Sequence, residues 1–272
     1  ERAVLRVFAA KGRPRFDPLI VHCADLGMAL GIALFSPRAL RLAALWPGPL
    51  TLVLPRRAGV LDLVTSGLPT VAVRCPAHAL ARALIRAAGF PLVAPSANRF
   101  GRISPTTAEA VRQELGAAVD LVFDGGPCAV GVESSIVQPG EPPLLLRPGG
   151  VPRERLEEIL GRPLERPAAG ALAAPGMLAS HYAPTARVQP KGEGWPSGRV
   201  GHLRFAGTAD PRAVISEELS PAGDLVEAAS RLFACLRRLD AAGVDAIVHD
   251  VVPAHGLGLA IADRLHRAAG RG

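Results

Sequence analysis

The sequence predicts an α/β protein: a twisted mixed sheet with helices, then a linker, then a small Rossmann-like α/β domain. Three observations lead there. Short apolar runs bounded by Pro, Gly or Asp alternate with helical patterns through the first 160 residues. Some of these runs follow one another too closely for a helical crossover, so parallel and antiparallel pairs must share one sheet. After a stretch rich in Pro, Gly, Ala and Arg, a second alternation of strand and helix begins. A length of 272 residues suits two domains at about 150 residues each. The expected boundaries are 1–160 for the first domain, 161–198 for the linker and 199–272 for the second domain.

In chain order, Arg2 to Ala10 reads as the tail of an amphipathic helix, with Val4, Leu5 and Phe8 at helical spacing. An opening inside a helix, with no methionine or capping residue, leads to the expectation of further sequence before Glu1. Strands are expected at Pro18–Val21, Pro49–Leu54, Thr70–Val73, Pro91–Ala94, Asp120–Phe123, Ser135–Val137 and Leu144–Leu146. Helices are expected at Leu26–Ala33, Pro37–Leu45, Ala77–Ala88, Thr106–Leu115 and Pro152–Leu160. The linker carries a denser patch, Ala174 to Pro184, that holds Met177, His181 and Tyr182, the only tyrosine. Beyond it, Arg199–Phe205, Ala213–Ile215 and Asp245–His249 read as strands, and Leu225–Ala242 and Leu257–Ala269 as helices. No GxGxxG fingerprint accompanies them, so dinucleotide binding is not supported.

Composition removes several classes. Hydrophobic residues make up 49% and charged residues 20%, which excludes an extended disordered chain. Uncharged apolar stretches such as Leu26 to Phe35 fall short of the roughly 20 residues a membrane helix needs, and no signal peptide opens at Glu1. The expectation is a soluble, cytoplasmic protein without a membrane partner. Cys23, Cys75, Cys128 and Cys235 form no CxxC pair and the histidines no HExxH, so no metal site is encoded locally. The net charge of +7 suits RNA or a phosphorylated ligand, but the excess is spread thinly and points to RNA only weakly. Only Lys11 and Lys191 are lysines, which makes a lysine here more informative than an arginine.

Several polar residues stand where chemistry is possible, each with a plainer reading beside it. Lys11-Gly12-Arg13 can grip phosphate oxygens, lysine as a point charge and arginine as a fork, or can simply close a helix C-terminus. Arg74 and Arg147 end apolar runs and point into a cleft or into solvent. Pro95-Ser96-Ala97-Asn98 sits at a strand's C-terminal end, where ligands of open α/β sheets gather, or forms an Asx turn. Ser104 to Glu109 opens a helix with Thr106 and Glu109 in a capping-box pattern, a start that can bind phosphate. Asp124-Gly125-Gly126 and Gly131 to Ser135 give a glycine-rich turn into a strand, either for close approach to a ligand or as a hairpin. His22 follows a strand and is a ligand contact or a satisfied strand-end side chain.

The motifs, taken together, resemble a known family. Lys11-Gly-Arg with Pro18-Leu-Ile-Val-His22, Trp46-Pro-Gly-Pro-Leu-Thr51, Val71-Ala-Val-Arg74-Cys-Pro, Ala94-Pro-Ser-Ala-Asn98, Ser104-Pro-Thr106, Gly131-Val-Glu-Ser134 and Leu146-Arg147-Pro-Gly are similar to the YrdC-like domain of the threonylcarbamoyl-AMP synthases. Pro175-Gly-Met and His181-Tyr-Ala-Pro, followed by a Rossmann-like domain, resemble the family's long two-domain form.

That resemblance implies a nucleotidyltransferase. It would condense L-threonine, bicarbonate or CO2, and ATP into threonylcarbamoyl-AMP, releasing pyrophosphate, with Mg2+ accompanying the ATP. The product would pass to the machinery that transfers the threonylcarbamoyl group to tRNA. By resemblance, Lys11 and Arg13 act on the phosphates. Asp17, Thr70, Asn98, Ser104, Thr106, Arg147 and Tyr182 complete the ATP set, and His22, Arg74, Ser96 and Ser134 hold threonine. Asp17 replaces the family's usual asparagine and puts an acid near phosphate. Ser135 replaces a usual threonine, and Leu178 and Ala179 replace basic or aromatic residues. The family's first strand and its Pro-Thr-Glu-Thr segment have no counterpart in the sequence. Two further readings compete: a carbamoyl-adenylate-forming domain of the hydrogenase-maturation type, and a non-catalytic RNA-binding module.

Overall fold

The computed structural model describes residues 1–168 and 181–270. Residues 1–96 and 133–168 pack as one compact unit, and residues 97–132 with 181–270 as a second. Met177 and the rest of Pro175-Gly-Met, with Leu178 and Ala179, lie outside the described residues.

The first unit is built on six strands: β1 (Ile20–His22), β2 (Leu50–Pro55), β3 (Thr70–Arg74), β4 (Leu92–Val93), β5 (Ser135–Gln138) and β6 (Leu144–Arg147). Their order is β4-β1-β3-β2-β5-β6. β1 runs parallel to β3, and β2 to β5, while the other three pairs are antiparallel. The sheet is therefore mixed, as the short spacings require. Alternation of side chains divides its faces. Leu19, Val21, Leu50, Leu52, Leu54, Val71, Val73 and Val137 point one way, into the larger core. There they meet Val4 and Phe8 of α1 (Arg2–Lys11), Ala39 and Leu42 of helix Pro37–Ala43, and Leu156 and Leu160 of helix Arg153–Leu160. Truncating any one of these leucines to alanine would cost about 2 to 5 kcal/mol. The opposite face carries a smaller apolar group: Ile20, Val53, Ala72, Ile136 and Leu146.

Local sequence explains the helix ends. Gly12 closes α1 in the left-handed conformation, φ 60°, as expected of a glycine C-cap. Ser36 caps helix Pro37–Ala43 with proline at its first position, its hydroxyl accepting from Ala39 N–H at 3.2 Å. A short helix, Asp62–Thr65, was not foreseen from the sequence, being a single turn with too few residues to show a period.

The second unit holds a four-stranded parallel sheet: β7 (Arg187–Pro190), β8 (Val200–Arg204), β9 (Ile215–Glu218) and β10 (Ala246–His249), in the order β7-β10-β8-β9. Helices Leu225–Ala241 and Gly258–Ala269 pack with Val188, Leu203 and Ile247 in a second core. Asp224 caps the longer helix, accepting from Val226 and Glu227 N–H at 2.7 and 2.8 Å. β7 falls where the sequence suggests linker. Its four residues end in proline and lie at a sheet edge, which proline tolerates and which leaves no alternation long enough to read.

Residues 97–132 add to this unit helix Ala108–Leu115 and a loop, and three expectations change there. Asp120–Phe123 is not a strand: it joins neither sheet among the described residues, and Leu121 and Phe123 are exposed. The helix cap is Thr107 rather than Thr106, its hydroxyl accepting from Ala110 N–H at 3.2 Å, because the helix begins one residue later than the pattern suggests. Glu109 does not reach back. It accepts from Gln113 at 2.9 Å. The glycine-rich turn is no hairpin: Gly131, at φ 77°, passes so close to helix Leu225–Ala241 that an added Cβ would lie 2.3 Å from Ala229 O. The close approach at Gly131 is to this helix.

Candidate active site

Register places the polar residues of the first unit in a line. His22 on β1 pairs with Arg74 on β3, Arg74 with Thr51 on β2, Thr51 with Ile136 on β5, and Ile136 with Arg147 on β6. Register partners in a sheet share a face. One row thus crosses five strands and brings four polar side chains to the face opposite the large core. A bulge between Ile136 and Val137 lets Leu146 and Arg147 both stand against β5. Behind the row, one pleat away, lie Ile20, Ala72 and Val53, also register partners, which make an apolar floor. Thr70 occupies the same face of β3 as Arg74 but four residues away, about 13 Å along the strand. The structure therefore sets Thr70 at the far end of the floor and not beside Arg74.

The individual side chains are held firmly. Ser134, two residues before Ile136, has its hydroxyl 2.7 Å from Thr51 Oγ1 and 3.3 Å from Arg147 Nη2. Its carbonyl accepts from Arg147 Nε and Nη2 at 3.3 and 2.9 Å. Ser135 turns to the other face, where its hydroxyl donates to Val151 O at 2.6 Å, so it fixes the loop after β6. Arg74 donates from Nε to Gly48 O at 3.2 Å, which ties it to the Trp46-Pro-Gly-Pro turn. His22 is half-buried, with Nδ1 3.2 Å from Ile20 O. Burial and the neighbouring Arg74 charge push its imidazole down to about 3, so the ring is neutral at physiological pH.

Two further cations and one acid gather near Arg147. Lys11 and Arg13, at the end of α1, are buried, as are Asp17 and Arg147. Lys11 Nζ donates to Ser96 O. Arg13 lies 2.8 Å from the Asp17 carboxylate and donates to the carbonyls of Asp17 and Pro18 at 3.1 and 2.8 Å. Burial raises the Asp17 carboxyl above its ordinary range, against the opposing pull of Arg13, Arg147 and Lys11. Net positive charge held out of water in this way is suited to a polyanion.

The remaining candidates lie in the second unit. Asn98 is buried and donates from Nδ2 to the carbonyls of Arg99 and Arg102 at 2.8 and 2.9 Å, bracing a turn. Ser104 and Thr106 are buried, and Thr106 O accepts from Cys128 N–H at 2.9 Å. Tyr182 is 1% exposed and belongs to the second core, its ring 5.5 Å from Phe233 and 5.1 Å from the Arg264 guanidinium.

Sequence reasoning missed Thr51 as part of the site. The available signal was a hydroxyl interrupting an otherwise apolar strand, Leu50 to Leu54, and the structure buries that hydroxyl completely.

Residues 1–149 match the family described as Telomere recombination, and residues 151–270 the family described as Threonylcarbamoyl-AMP synthase, C-terminal domain. Threonylcarbamoyl-AMP synthase of Pyrococcus abyssi is 40% identical over 99% of this chain and 85% of its own length, and that of Bacillus subtilis 39% identical over 98% and 84%. The chain belongs to the threonylcarbamoyl-AMP synthase family. A synthase of Schizosaccharomyces pombe is 34% identical over 98% of the chain and 80% of its own length. The crystal structure of Pyrococcus abyssi Sua5 complexed with L-threonine superposes with a TM-score of 0.90 at 38% identity, covering 99% of this chain and 85% of that one. Family membership favours the nucleotidyltransferase reading over the hydrogenase-maturation and RNA-binding ones. No helix among the described residues is long and apolar enough to cross a membrane.

Proposed function

We propose that this synthase-family chain joins L-threonine, bicarbonate or CO2, and ATP into threonylcarbamoyl-AMP with release of pyrophosphate. The observation that carries the reading is the polar row His22, Arg74, Thr51 and Arg147 on one face of the first sheet, with Ser134 bonded to Thr51 and Arg147 and with Lys11, Arg13 and Arg147 all acting on the buried Asp17. In this reading Arg74 grips the amino acid's carboxylate, since a guanidinium can hold both oxygens, while neutral His22 and the Ser134 hydroxyl supply uncharged hydrogen bonds. The free amine of threonine adds to carbon dioxide and yields its proton to water or bicarbonate, giving a carbamate whose oxygen attacks the α-phosphorus as the bond to pyrophosphate breaks. Lys11, Arg13 and Arg147 offset the charge that gathers on the departing phosphates. The apolar floor takes the uncharged part of the ligand. No side chain on the row is placed as a general base, and orientation of the two reactants supplies much of the acceleration.

Mg2+ would arrive on the ATP. Asp17, the acid of the cluster, has its carboxylate committed to Arg13, and no group of three metal-ligating side chains occurs among the described residues. The ion's ligands would be phosphate oxygens and water, and the chain's own cations would act beside it. The product would serve the tRNA threonylcarbamoyl-transfer machinery. The close packing of Tyr182 supports an anchoring role for the His181-Tyr182 segment over a direct contact with nucleotide.

The test is pyrophosphate release by the full-length protein with ATP, bicarbonate and either threonine or valine. Threonine should drive release and valine should not, because a site with buried polar groups built for a hydroxyl rejects the isostere lacking it by several orders of magnitude. Equal turnover with the two amino acids would overturn the assignment.

A further inference from the structure

The hydrogen bonds of Ser134 determine which way its proton points. Its hydroxyl can accept two hydrogen bonds and donate one. Arg147 Nη2, a donor with no acceptor capacity, takes one lone pair at 3.3 Å. Thr51 Oγ1 lies 2.7 Å away, and geometry alone leaves the direction of that bond open. Burial is equal for the two, Thr51 at 0% and Ser134 at 1% exposed, and the Ser134 hydroxyl is the side-chain partner of Thr51 among the described residues. The substrate contact decides it. If Ser134 donated to Thr51, it would have no proton left for a substrate oxygen. If Thr51 donates to Ser134, the Ser134 proton stays available, and a substrate oxygen gives that buried donor its acceptor. Ser134 then has both lone pairs filled and one proton left for the face on which Arg74 and His22 stand.

We propose that Thr51 is a positioning residue for the amino-acid site: together with Arg147 it fixes Ser134 as an obligate donor to an acceptor oxygen of the amino-acid substrate. The proposal rests on the reading of Ser134 as a threonine contact and adds what sets its polarity. It also couples the two halves of the site, since Arg147, a phosphate cation, occupies a lone pair of the serine that faces threonine. Without the Thr51 proton, Ser134 can turn its own proton onto a neighbour or accept instead of donate, and the substrate oxygen loses a fixed partner.

The experiment compares steady-state constants of the full-length protein for threonine and for ATP in Thr51→Val, Thr51→Ser and Ser134→Ala. Valine keeps the shape of threonine and removes the donor, so Thr51→Val should raise the KM for threonine about five- to tenfold while the KM for ATP stays within about twofold. Thr51→Ser keeps the donor and should return the threonine KM to within about twofold of the parent. A purely structural role would move both KM values together, or make valine and serine alike, and either result overturns the proposal. Ser134→Ala separates the two layers. An unchanged threonine KM in that variant refutes the underlying reading of Ser134, whereas a raised one beside a normal Thr51→Val refutes only the positioning role. Should Thr51→Val fail to fold, Thr51→Ala carries the same expectation, with a thermal melt confirming that it is folded.

Discussion

The depressed imidazole of His22 makes a prediction about acid stability. In the folded protein the ring holds no proton until about pH 3, because burial and the Arg74 charge both oppose a second positive charge there. In the unfolded chain it protonates near 6.5. As pH falls below 6.5 the unfolded state binds a proton that the folded state refuses, so the contribution of this group is intact above 6.5. It is lost progressively from there toward 3. The full gap corresponds to roughly 4.8 kcal/mol, and linkage gives roughly 2 kcal/mol at pH 5. The ring is only half-buried, and solvent screening trims the latter figure to about 1 to 2 kcal/mol. Urea unfolding of the parent and of His22→Asn at pH 7 and pH 5 measures it. The variant is expected to start less stable, having lost packing, but to lose about 1 to 2 kcal/mol less on acidification. Identical losses in the two proteins would refute the reasoning. The same neutrality implies that the KM for threonine carries no histidine titration between about pH 6 and 8, which a pH profile of the parent would show directly.

Three other outcomes follow from the geometry. Arg13→Ala should abolish threonine-dependent pyrophosphate release and also cost about 3 to 5 kcal/mol of stability, since it strands the buried Asp17 carboxylate; the double variant with Asp17→Asn should recover stability in a thermal melt but not turnover. Asp17→Asn alone removes a negative charge from the phosphate cluster. At a spacing of about 6 Å and an effective dielectric constant between about 20 and 80 this is worth roughly 0.7 to 2.8 kcal/mol, so ATP should bind at least about threefold more tightly by calorimetry. Tyr182→Ala should cost about 3 to 5 kcal/mol through the hole left beside Phe233, with Tyr182→Phe costing far less, as read from melting temperatures.

The sequence by itself determined the strand and helix alternation, because residues such as Leu50, Leu52 and Leu54 must all face one core and their period of two survives without knowledge of partners. It also determined an end where one glycine suffices, Gly12 after α1, while the Asp224 cap before helix Leu225–Ala241 came from the structure. Motif resemblance supplied Lys11, Arg13, His22, Arg74, Ser134 and Arg147, whose residue types carry the chemistry whatever their neighbours. Only the tertiary structure decided which of them meet. The line from His22 through Arg74 and Thr51 to Arg147 exists because strands far apart in sequence pair in a particular register, and register depends on nonlocal hydrogen bonds that no single segment encodes. For the same reason Thr51 reads as one more strand residue until Ser134 lies against it. Residues 97–132 likewise join the second unit through contacts such as Gly131 on helix Leu225–Ala241, a partner about 100 positions away and invisible to any local pattern.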